Sequence, residues 1–199
     1  GALVASHREA DAEATIALTA VDDPSRYGVV ATDGTGRVLG FVEKPAPGEA
    51  PSNLVNAGTY VLEPSVLRRI TPGVRVSVER QVFPAMVADG TLYAMATEAS
   101  WIDAGTPATY LQANLDTLAD PSGSVVDESA QVATSDVVER SVVLAGASIG
   151  ENAVVQDSII GPGATVGASA HVTAHSVLGT DAVVAEGEHL TGQCRPEVA

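Results

Sequence analysis

The sequence predicts an α/β domain with an open sheet, followed by a left-handed parallel β-helix of hexapeptide repeats. Strand-like and helix-like segments alternate over residues 1–120, whereas from residue 126 onward aliphatic residues recur every six positions. Hydrophobic residues make up 45% of the chain and aromatic residues only 4%, so the core is aliphatic, as in a β-rich fold. The composition changes near residues 119–123, and we expect the two domains to be 1–120 and 121–199.

The six-residue period is the basis for the β-helix. Its positions are Val126, Val132, Val138, Leu144, Ile149, Val155, Ile160, Val166, Val172, Leu178, Val184 and Leu190. Neither an α-helix, with about 3.6 residues per turn, nor an alternating strand has this period. In a triangular solenoid, each side of six residues points one aliphatic side chain inward and turns at small residues. Three sides make one coil, so residues 126–190 predict between three and four coils. A β-sandwich, which would alternate every two residues, is the alternative.

Within residues 1–120, the alternation of strands and helices predicts an open sheet covered on both faces. We expect strands at 15–21, 27–32, 37–42, 54–62 and 92–96, and helices at 64–70, 78–88 and 107–118. The glycines of Asp33-Gly34-Thr35-Gly36 could suggest a dinucleotide fingerprint, but no helix pattern follows them, so they indicate a hairpin turn. Thr106 is the expected N-cap of the last helix, with Pro107 in its first turn.

The acidic composition argues against some partners. The chain has 25 acidic and 10 basic residues, a formal net charge of −15. Long-range repulsion of phosphate groups argues against nucleic acid or an anionic membrane as a partner, and no apolar run approaches the roughly 20 residues of a membrane span. The single cysteine, Cys194, cannot form an intrachain disulfide, so we expect a cytoplasmic protein. Because the sequence begins with Gly1 and not Met, we also expect the natural protein to extend further toward the N-terminus.

Lys44 is the first candidate for chemistry, in the segment Phe41-Val42-Glu43-Lys44-Pro45. It is the only lysine of the chain, and all other basic residues are arginines. A compact ammonium can contact one phosphate oxygen where the broader guanidinium would not fit. The alternative is a solvated lysine in a loop, which is the commoner case.

Three further segments place polar side chains at a strand end or a helix start. Asn56-Ala57-Gly58 opens a strand, where the backbone can come close to a ligand and the amide can hold hydroxyl groups. Glu79 begins a helix, where a carboxylate can accept hydrogen bonds from sugar hydroxyls or simply favour the helix dipole. Asp103 follows a strand and precedes a helix, where α/β sheets bind ligands. Its oxygens could hold Mg²⁺, or it could be an ordinary carboxylate at a helix start.

In their order along the chain, these segments resemble the second half of the nucleotide-sugar pyrophosphorylase family. The matching segments are Tyr27-Gly28-Val29-Val30, Glu43-Lys44-Pro45, Asn56-Ala57-Gly58 and Trp101-Ile102-Asp103-Ala104-Gly105-Thr106. The stretch Ser77-Val78-Glu79-Arg80-Gln81-Val82-Phe83-Pro84 and the hexapeptide tail most resemble the mannose-1-phosphate guanylyltransferase branch. The resemblance extends over nearly the whole chain, and it implies that residues 1–120 are part of an open nucleotidyltransferase sheet.

This resemblance implies a role for each candidate residue. Lys44 would be the catalytic residue and would hold the sugar-1-phosphate. The other substrate-binding residues would be Gly28, Glu43, Asn56, Gly58 and Glu79. Asp103 would be one of two carboxylates that bind Mg²⁺.

The resemblance also implies a reaction. The sugar phosphate would attack a nucleoside triphosphate, expected to be GTP, with release of pyrophosphate, and the product would be GDP-mannose. The family's Gly-rich, Arg-containing nucleotide loop and its first metal-binding Asp are not among the 199 residues, so we expect this chain alone to be inactive. Because the ends of an aliphatic ladder need covering, we expect a homo-oligomer.

Two other classes of protein stay open. A hexapeptide acyltransferase would need a histidine base, and His171, His175 and His189 lie in the coils, although so few coils are short for a cofactor groove. A non-catalytic subunit could bind a sugar phosphate or a partner enzyme through its β-helix. If these 199 residues are the whole protein, the missing nucleotide loop favours such a subunit, whereas Lys44 and Asp103 favour a fragment of an active enzyme.

Overall fold

The computed structural model describes residues 1–196 and has two compact units, Gly1–Trp101 and a second that begins at Ile102. The contacts divide the chain before the predicted linker, so the domain bounds 1–120 and 121–199 stay predictions. Within the described residues, no helix combines the length and the apolar composition needed to cross a membrane.

The first unit is a five-stranded sheet with helices packed on it. Its elements are helix α1 (Ala2–Glu9), strands β1 (Ala14–Ala20), β2 (Gly28–Thr32), β3 (Val38–Glu43) and β4 (Leu54–Leu62), 3₁₀ turns at Pro24–Arg26 and Pro64–Arg69, a π-helical turn (Val78–Val82), α2 (Phe83–Asp89) and β5 (Leu92–Ala96). The strand order is β3-β2-β4-β1-β5, with β1 and β5 parallel and the other neighbours antiparallel. The predicted open α/β sheet is therefore confirmed, and its interior strand β1, between β4 and β5, is buried over six of its seven residues.

The predicted helix 78–88 forms in two parts. Ser77 caps the π-helical turn, since its Oγ accepts a hydrogen bond from the N–H of Arg80. Helix α2 then begins at Phe83, and Pro84 lies in its first turn, where the missing N–H costs nothing. Phe83 and Met86 are fully buried against the sheet. The proline therefore marks the junction between the two helical parts.

Helix α1 has no counterpart among the predicted elements, because its eight residues show no strong apolar period. His7 holds it to the sheet. The ring is 3% exposed, with Nδ1 2.9 Å from the hydroxyl of Thr15 and Nε2 3.2 Å from a carboxylate oxygen of Glu63. This packing of α1 depends on contacts that are distant in sequence.

Glu13 connects four elements of the first unit at one end of the sheet. Its carboxylate, just before β1, accepts hydrogen bonds from Arg69, Ser65 and Thr91, and Arg69 also binds Asp89 at the end of α2. The hydrogen bonds from Arg69 and the positive charge of its guanidinium hold the pKa of Glu13 below its ordinary value of 4.5. This carboxylate therefore stabilises the fold in its ionised form.

We expect Glu13→Gln to lower the free energy of unfolding at pH 7 by about 1–3 kcal/mol, because the charged hydrogen bonds to Arg69 are weakened. A carboxyl with a depressed pKa contributes stability above its unfolded value, and this contribution is lost as the pH falls below about 4.5. Urea unfolding of both proteins between pH 3 and 7 (about five points) tests this. The difference between them should shrink toward acid pH, and a difference that stays constant would contradict the role of the charge.

The second unit begins with α3 (Pro107–Leu115), which Thr106 caps as predicted, and continues as a parallel β-solenoid. The strands are β6 (Val125–Val126), β7 (Gln131–Val132), β8 (Val137–Glu139), β9 (Val142–Val143), β10 (Ser148–Ile149), β11 (Val154–Gln156), β12 (Ile159–Ile160), β13 (Thr165–Val166), β14 (His171–Thr173), β15 (Val177–Leu178), β16 (Val183–Val184), β17 (His189–Thr191) and β18 (Cys194–Arg195). They form three parallel sheets, β16-β13-β10-β7, β17-β14-β11-β8 and β18-β15-β12-β9-β6, in about four coils. The predicted solenoid is confirmed, and its left-handed sense stays a prediction.

One predicted inward position of the solenoid is wrong by one residue. Val143, and not Leu144, pairs with Ile160 and is fully buried in the solenoid core. The sequence is ambiguous at this point because Val142, Val143 and Leu144 are all aliphatic. Val142 is buried too, on the outer face, because α3 packs over it.

The inward positions from Ile149 to Leu190 are at most 3% exposed, which the six-residue period predicts. In the first coil, by contrast, Val126 and Val132 are 43% and 36% exposed. The first coil has no preceding coil to pack on, so its side chains are covered from one side only.

The corners set the length of each coil. Ile149 follows its partner Val132 by 17 residues, whereas Val184 follows its partner Val166 by 18. The extra residue lies at Ala174-His175, where two consecutive residues have a positive φ (57° and 62°).

The corresponding corners of the two preceding coils each have a single left-handed residue, Arg140 or Asp157. Buried serines stack at these corners. The hydroxyl of Ser141 accepts the N–H of Ser158 in the next coil, and Ser158 and Ser176 occupy the same place with hydroxyls bonded to carbonyls of their own coils.

Candidate active site

A β-bulge in β4 shapes the candidate site. Tyr60 pairs with Ile16 and Asn56 with Leu18, so the three residues 57–59 lie opposite the single residue Ala17. Residues four apart on a regular strand are roughly 13 Å apart, but the bulge brings Asn56 and Tyr60 together. Gly58 has φ 73° in this bulge, a conformation that favours glycine.

A chain of hydrogen bonds connects Asn56, Tyr60 and Glu79. The Asn56 amide nitrogen donates to the Tyr60 oxygen at 2.7 Å, and the Tyr60 hydroxyl donates to Glu79 Oε1 at 3.4 Å. Glu79 Oε2 accepts a hydrogen bond from the hydroxyl of Ser77 at 3.2 Å. The helix start that carries Glu79 and the bulge that carries Asn56 thus face each other across one tyrosine.

Glu43 joins this group from the end of β3. Burial raises the pKa of Tyr60, and the carboxylates of Glu79 and Glu43 raise it further. Gly28, in register with Glu43 on the neighbouring strand β2, leaves the space that Glu43 occupies. A Cβ atom at Gly28 would lie 2.8 Å from Glu43 Oε2 and 2.8 Å from the ring of Phe41. This glycine is therefore needed for a close approach and not for a special φ.

Lys44 follows Glu43 directly and has a strained backbone. Its φ is 52°, and its N–H donates to the carbonyl of Tyr27 at 3.0 Å. A left-handed conformation costs a residue other than glycine roughly 1 kcal/mol. Lys44 is exposed, and none of the six ion pairs found within residues 1–196 includes it. The ammonium of Lys44 therefore lies just beyond the end of β3, and no carboxylate within residues 1–196 forms an ion pair with it.

Trp101 fixes the bulge from outside. Its indole N–H donates to the carbonyl of Ala57 at 3.0 Å, and its ring meets that of Tyr27 edge-on, with centroids 5.5 Å apart. Tyr27 also supplies the carbonyl that holds Lys44. The segments that begin at Tyr27 and Trp101 thus hold the two segments that contain Lys44 and Ala57 in place.

Asp103 lies in the second unit, in the irregular segment that leads into α3, and is exposed. Within residues 1–196, no three His, Cys, Asp or Glu side chains cluster in a way that could hold a metal ion. The Mg²⁺ role of Asp103 stays a prediction.

The structure brings together Gly28, Glu43, Asn56, Gly58 and Glu79, with Lys44 at the end of the same strand as Glu43. Sequence reasoning missed Tyr60 and Ser77 as members of the site. The four-residue step from Asn56 to Tyr60 gives no sign of contact unless the bulge is known.

The coil histidines form a different arrangement. His171 and His189 pair in register on β14 and β17, and their rings stack with centroids 4.4 Å apart. His175 lies at a corner. Within residues 1–196, none of the three rings is hydrogen-bonded to a carboxylate that would orient it as a base, so these contacts do not support an acyltransferase.

Known families match both parts of the chain. The Nucleotidyl transferase family matches residues 1–120, and the GMPPB C-terminal domain family matches residues 117–194. The chain belongs to the nucleotidyl transferase family. Its open sheet and its solenoid correspond in order to these two matches, and the resemblance to nucleotide-sugar pyrophosphorylases of the mannose-1-phosphate guanylyltransferase type is confirmed.

Individual relatives agree with this assignment. A probable mannose-1-phosphate guanylyltransferase of Arabidopsis thaliana is 46% identical over 110 residues, which is 55% of this chain and 32% of the relative. The catalytic subunit beta of mannose-1-phosphate guanylyltransferase from Dictyostelium discoideum is 44% identical over 55% of this chain and 30% of its own length. The mannose-1-phosphate guanylyltransferase of Mycobacterium tuberculosis is 42% identical over 55% of this chain and 31% of its own length. This nucleotidyl transferase chain thus spans about a third of the length of these relatives.

Proposed function

We propose that this chain forms the sugar-phosphate side of a sugar-1-phosphate nucleotidyltransferase that makes GDP-mannose from GTP and mannose-1-phosphate and releases pyrophosphate. The observation that carries the proposal is the gathering of Glu43, Asn56 and Glu79 around Tyr60, beside Lys44. Carboxylates and an amide suit the hydroxyl groups of a sugar, and one ammonium suits its phosphate. The names of the relatives supply the sugar and the nucleotide.

In this proposal, Lys44 holds the sugar phosphate and is the catalytic residue. The net charge of −15 repels the substrates at long range, so a local cation is needed to bind them. Phosphoryl-type transfer depends mainly on positioning and on neutralising charge, and Lys44 contributes to both. The strain in its backbone supports this role, because left-handed residues other than glycine tend to persist where function needs them.

The remaining residues bind the sugar ring. Glu43 and Glu79 accept hydrogen bonds from hydroxyl groups, and Asn56 donates one from its amide. Gly58 keeps the bulge in which Asn56 lies, and Gly28 keeps space for the carboxylate of Glu43. The site therefore combines acceptors and donors on three separate elements, β3, β4 and the helix start at Ser77.

We also propose Mg²⁺ as the cofactor, with Asp103 as one ligand. Mg²⁺ prefers oxygen ligands and usually keeps several waters, so it needs only one or two protein carboxylates. Asp103 is an exposed carboxylate and could supply one such ligand. When bound, the metal would neutralise charge on the phosphates.

We propose that a nucleotide-binding loop outside these 199 residues, in the same polypeptide or in a partner chain, completes the site. We propose a homo-oligomer, since Val126 and Val132 of the first coil are exposed aliphatic residues.

A non-catalytic subunit that binds sugar phosphate is the second candidate. Such a subunit would use the same Lys44 and Glu79 to bind the sugar phosphate.

The natural gene product that carries this sequence should be assayed for pyrophosphate release with GTP and mannose-1-phosphate, with Mg²⁺ and with EDTA. Other nucleotides and sugar-1-phosphates serve as controls of specificity. Turnover that needs Mg²⁺ supports the enzyme. Binding of mannose-1-phosphate without turnover supports the non-catalytic subunit. If the protein neither binds nor turns over any sugar-1-phosphate, the proposal is overturned.

A further inference from the structure

We infer that Tyr60 is a positioning residue whose hydroxyl fixes Asn56 and Glu79 relative to each other and so sets which sugar epimer the site accepts. The inference rests on the proposed function. Tyr60 does not itself need to contact the substrate in this role. It acts through the two side chains that its oxygen connects.

The direction of the hydrogen bonds follows from the contacts at Asn56. Its Oδ1 accepts the backbone N–H of Gly58 at 2.9 Å, so its amide nitrogen must be the atom that faces Tyr60. The Tyr60 oxygen is therefore an acceptor from Asn56. Its own proton is left for Glu79 Oε1.

The proton stays on Tyr60 at neutral pH. Burial and the neighbouring carboxylates of Glu79 and Glu43 raise the pKa of Tyr60, so it remains a donor. The distance of 3.4 Å to Glu79 is long for a hydroxyl donor, and such contacts commonly shorten when a substrate closes the site. The ring of Tyr60 is held by a separate contact, because it packs edge-on against the ring of Phe83 with centroids 5.2 Å apart.

This arrangement leaves a defined set of groups for a ligand. Within residues 1–196, Asn56 keeps one N–H and one Oδ1 lone pair without a partner, and Glu79, held by Tyr60 and Ser77, keeps its other lone pairs. A donor and an acceptor are thus presented at a spacing that one half-buried hydroxyl determines. Two sugars that differ only in the orientation of one hydroxyl place it differently against such a pair, and a polar site rejects the poorer match strongly.

The test is Tyr60→Phe in the natural gene product, with Tyr93→Phe on β5 as the matched control. The Tyr93→Phe variant loses the same hydroxyl group, but the Tyr93 hydroxyl has no hydrogen bond to Asn56 or Glu79. We expect Tyr60→Phe to raise KM for mannose-1-phosphate by about tenfold to a hundredfold, the range for one hydrogen bond to a charged group. In contrast, kcat and the KM for GTP should each change by less than about threefold.

The decisive measurement is the ratio of kcat/KM for mannose-1-phosphate to that for glucose-1-phosphate, its epimer at one carbon. This ratio should fall at least about tenfold in Tyr60→Phe and stay unchanged in Tyr93→Phe. A merely structural role would lower both rates equally. If the ratio and KM match the unmodified protein, the inference about Tyr60 is wrong while the proposed function stands, since the unmodified enzyme still turns over.

A second measurement covers the case in which Tyr60→Phe does not fold. In the unmodified protein, the Tyr60 hydroxyl proton should exchange slowly with water and show a nuclear Overhauser contact to the side-chain amide of Asn56. Fast exchange without that contact would overturn the hydrogen-bond chain itself. If the unmodified protein turns over no sugar-1-phosphate at all, the proposed function fails, independently of the result for Tyr60.

Discussion

Lys44→Ala is expected to lower kcat/KM for the sugar-1-phosphate by roughly 10²-fold to 10³-fold, the range seen when one charge-stabilising donor is removed from an active site. The chain has no other lysine, and its net charge of −15 provides no general attraction for a phosphate. Steady-state kinetics of pyrophosphate release measure the effect. Thermal unfolding of the variant should change little, because the ammonium forms none of the six ion pairs within residues 1–196.

Lys44→Gly separates the charge from the strained backbone. Glycine adopts the φ of 52° without strain, so this variant should be roughly 1 kcal/mol more stable than Lys44→Ala and equally inactive. Lys44→Arg keeps the charge, but its planar fork presents it differently, so we expect it to recover only part of the activity. Activity in Lys44→Gly close to that of the unmodified enzyme would show that the backbone, and not the ammonium, matters at this position.

Gly28→Ala is expected to lower kcat/KM by roughly 10²-fold, because the new Cβ would lie 2.8 Å from both Glu43 Oε2 and the ring of Phe41. One of these groups must move, and a carboxylate displaced by about 1 Å no longer meets its ligand. The same crowding should cost about 1–3 kcal/mol of stability. The free energy of unfolding from urea titrations and the kinetics should therefore both change.

Gly40→Ala is the matched control for this prediction. Gly40 lies in the same hairpin, paired with Ala31, and no neighbouring heavy atom lies within 4 Å of its Cβ position. We expect its activity to be unchanged and its stability to shift by no more than about 0.5 kcal/mol. If both variants behave alike, the loss at Gly28 comes from the strand and not from Glu43.

Much of the fold was predictable because the period of the solenoid is unlike that of any other element. Each side of a coil buries one aliphatic residue, so positions such as Ile149 and Val166 stand out in the sequence. The register failed only at Val142-Val143-Leu144, where α3 buries the outer face as well and both faces are aliphatic. Helix α1 could not be predicted, since a histidine pairing with Thr15 and Glu63 holds it.

The candidate site was predictable only as separate segments. The sequence indicated Glu43, Asn56 and Glu79 from their residue types and from the family resemblance, and the sheet brings them together. Tyr60 could not be found in this way, because its contact with Asn56 depends on the two extra residues of the bulge. The spacing of residues along a strand determines which of them are neighbours only while the strand is regular.

The stacking of the coils restricts how the solenoid can change in length. Each sheet pairs residues 17 or 18 positions apart, and the corner serines connect one coil to the next. A difference of one residue is accommodated at a corner, as at Ala174-His175, and the pairing continues beyond it. A residue lost from within a strand would instead turn the inward side chain of that strand outward. Removing or duplicating a whole coil would keep each pairing intact. Over evolutionary time, we therefore expect this solenoid to gain or lose single residues at its corners and otherwise to change in length by whole coils.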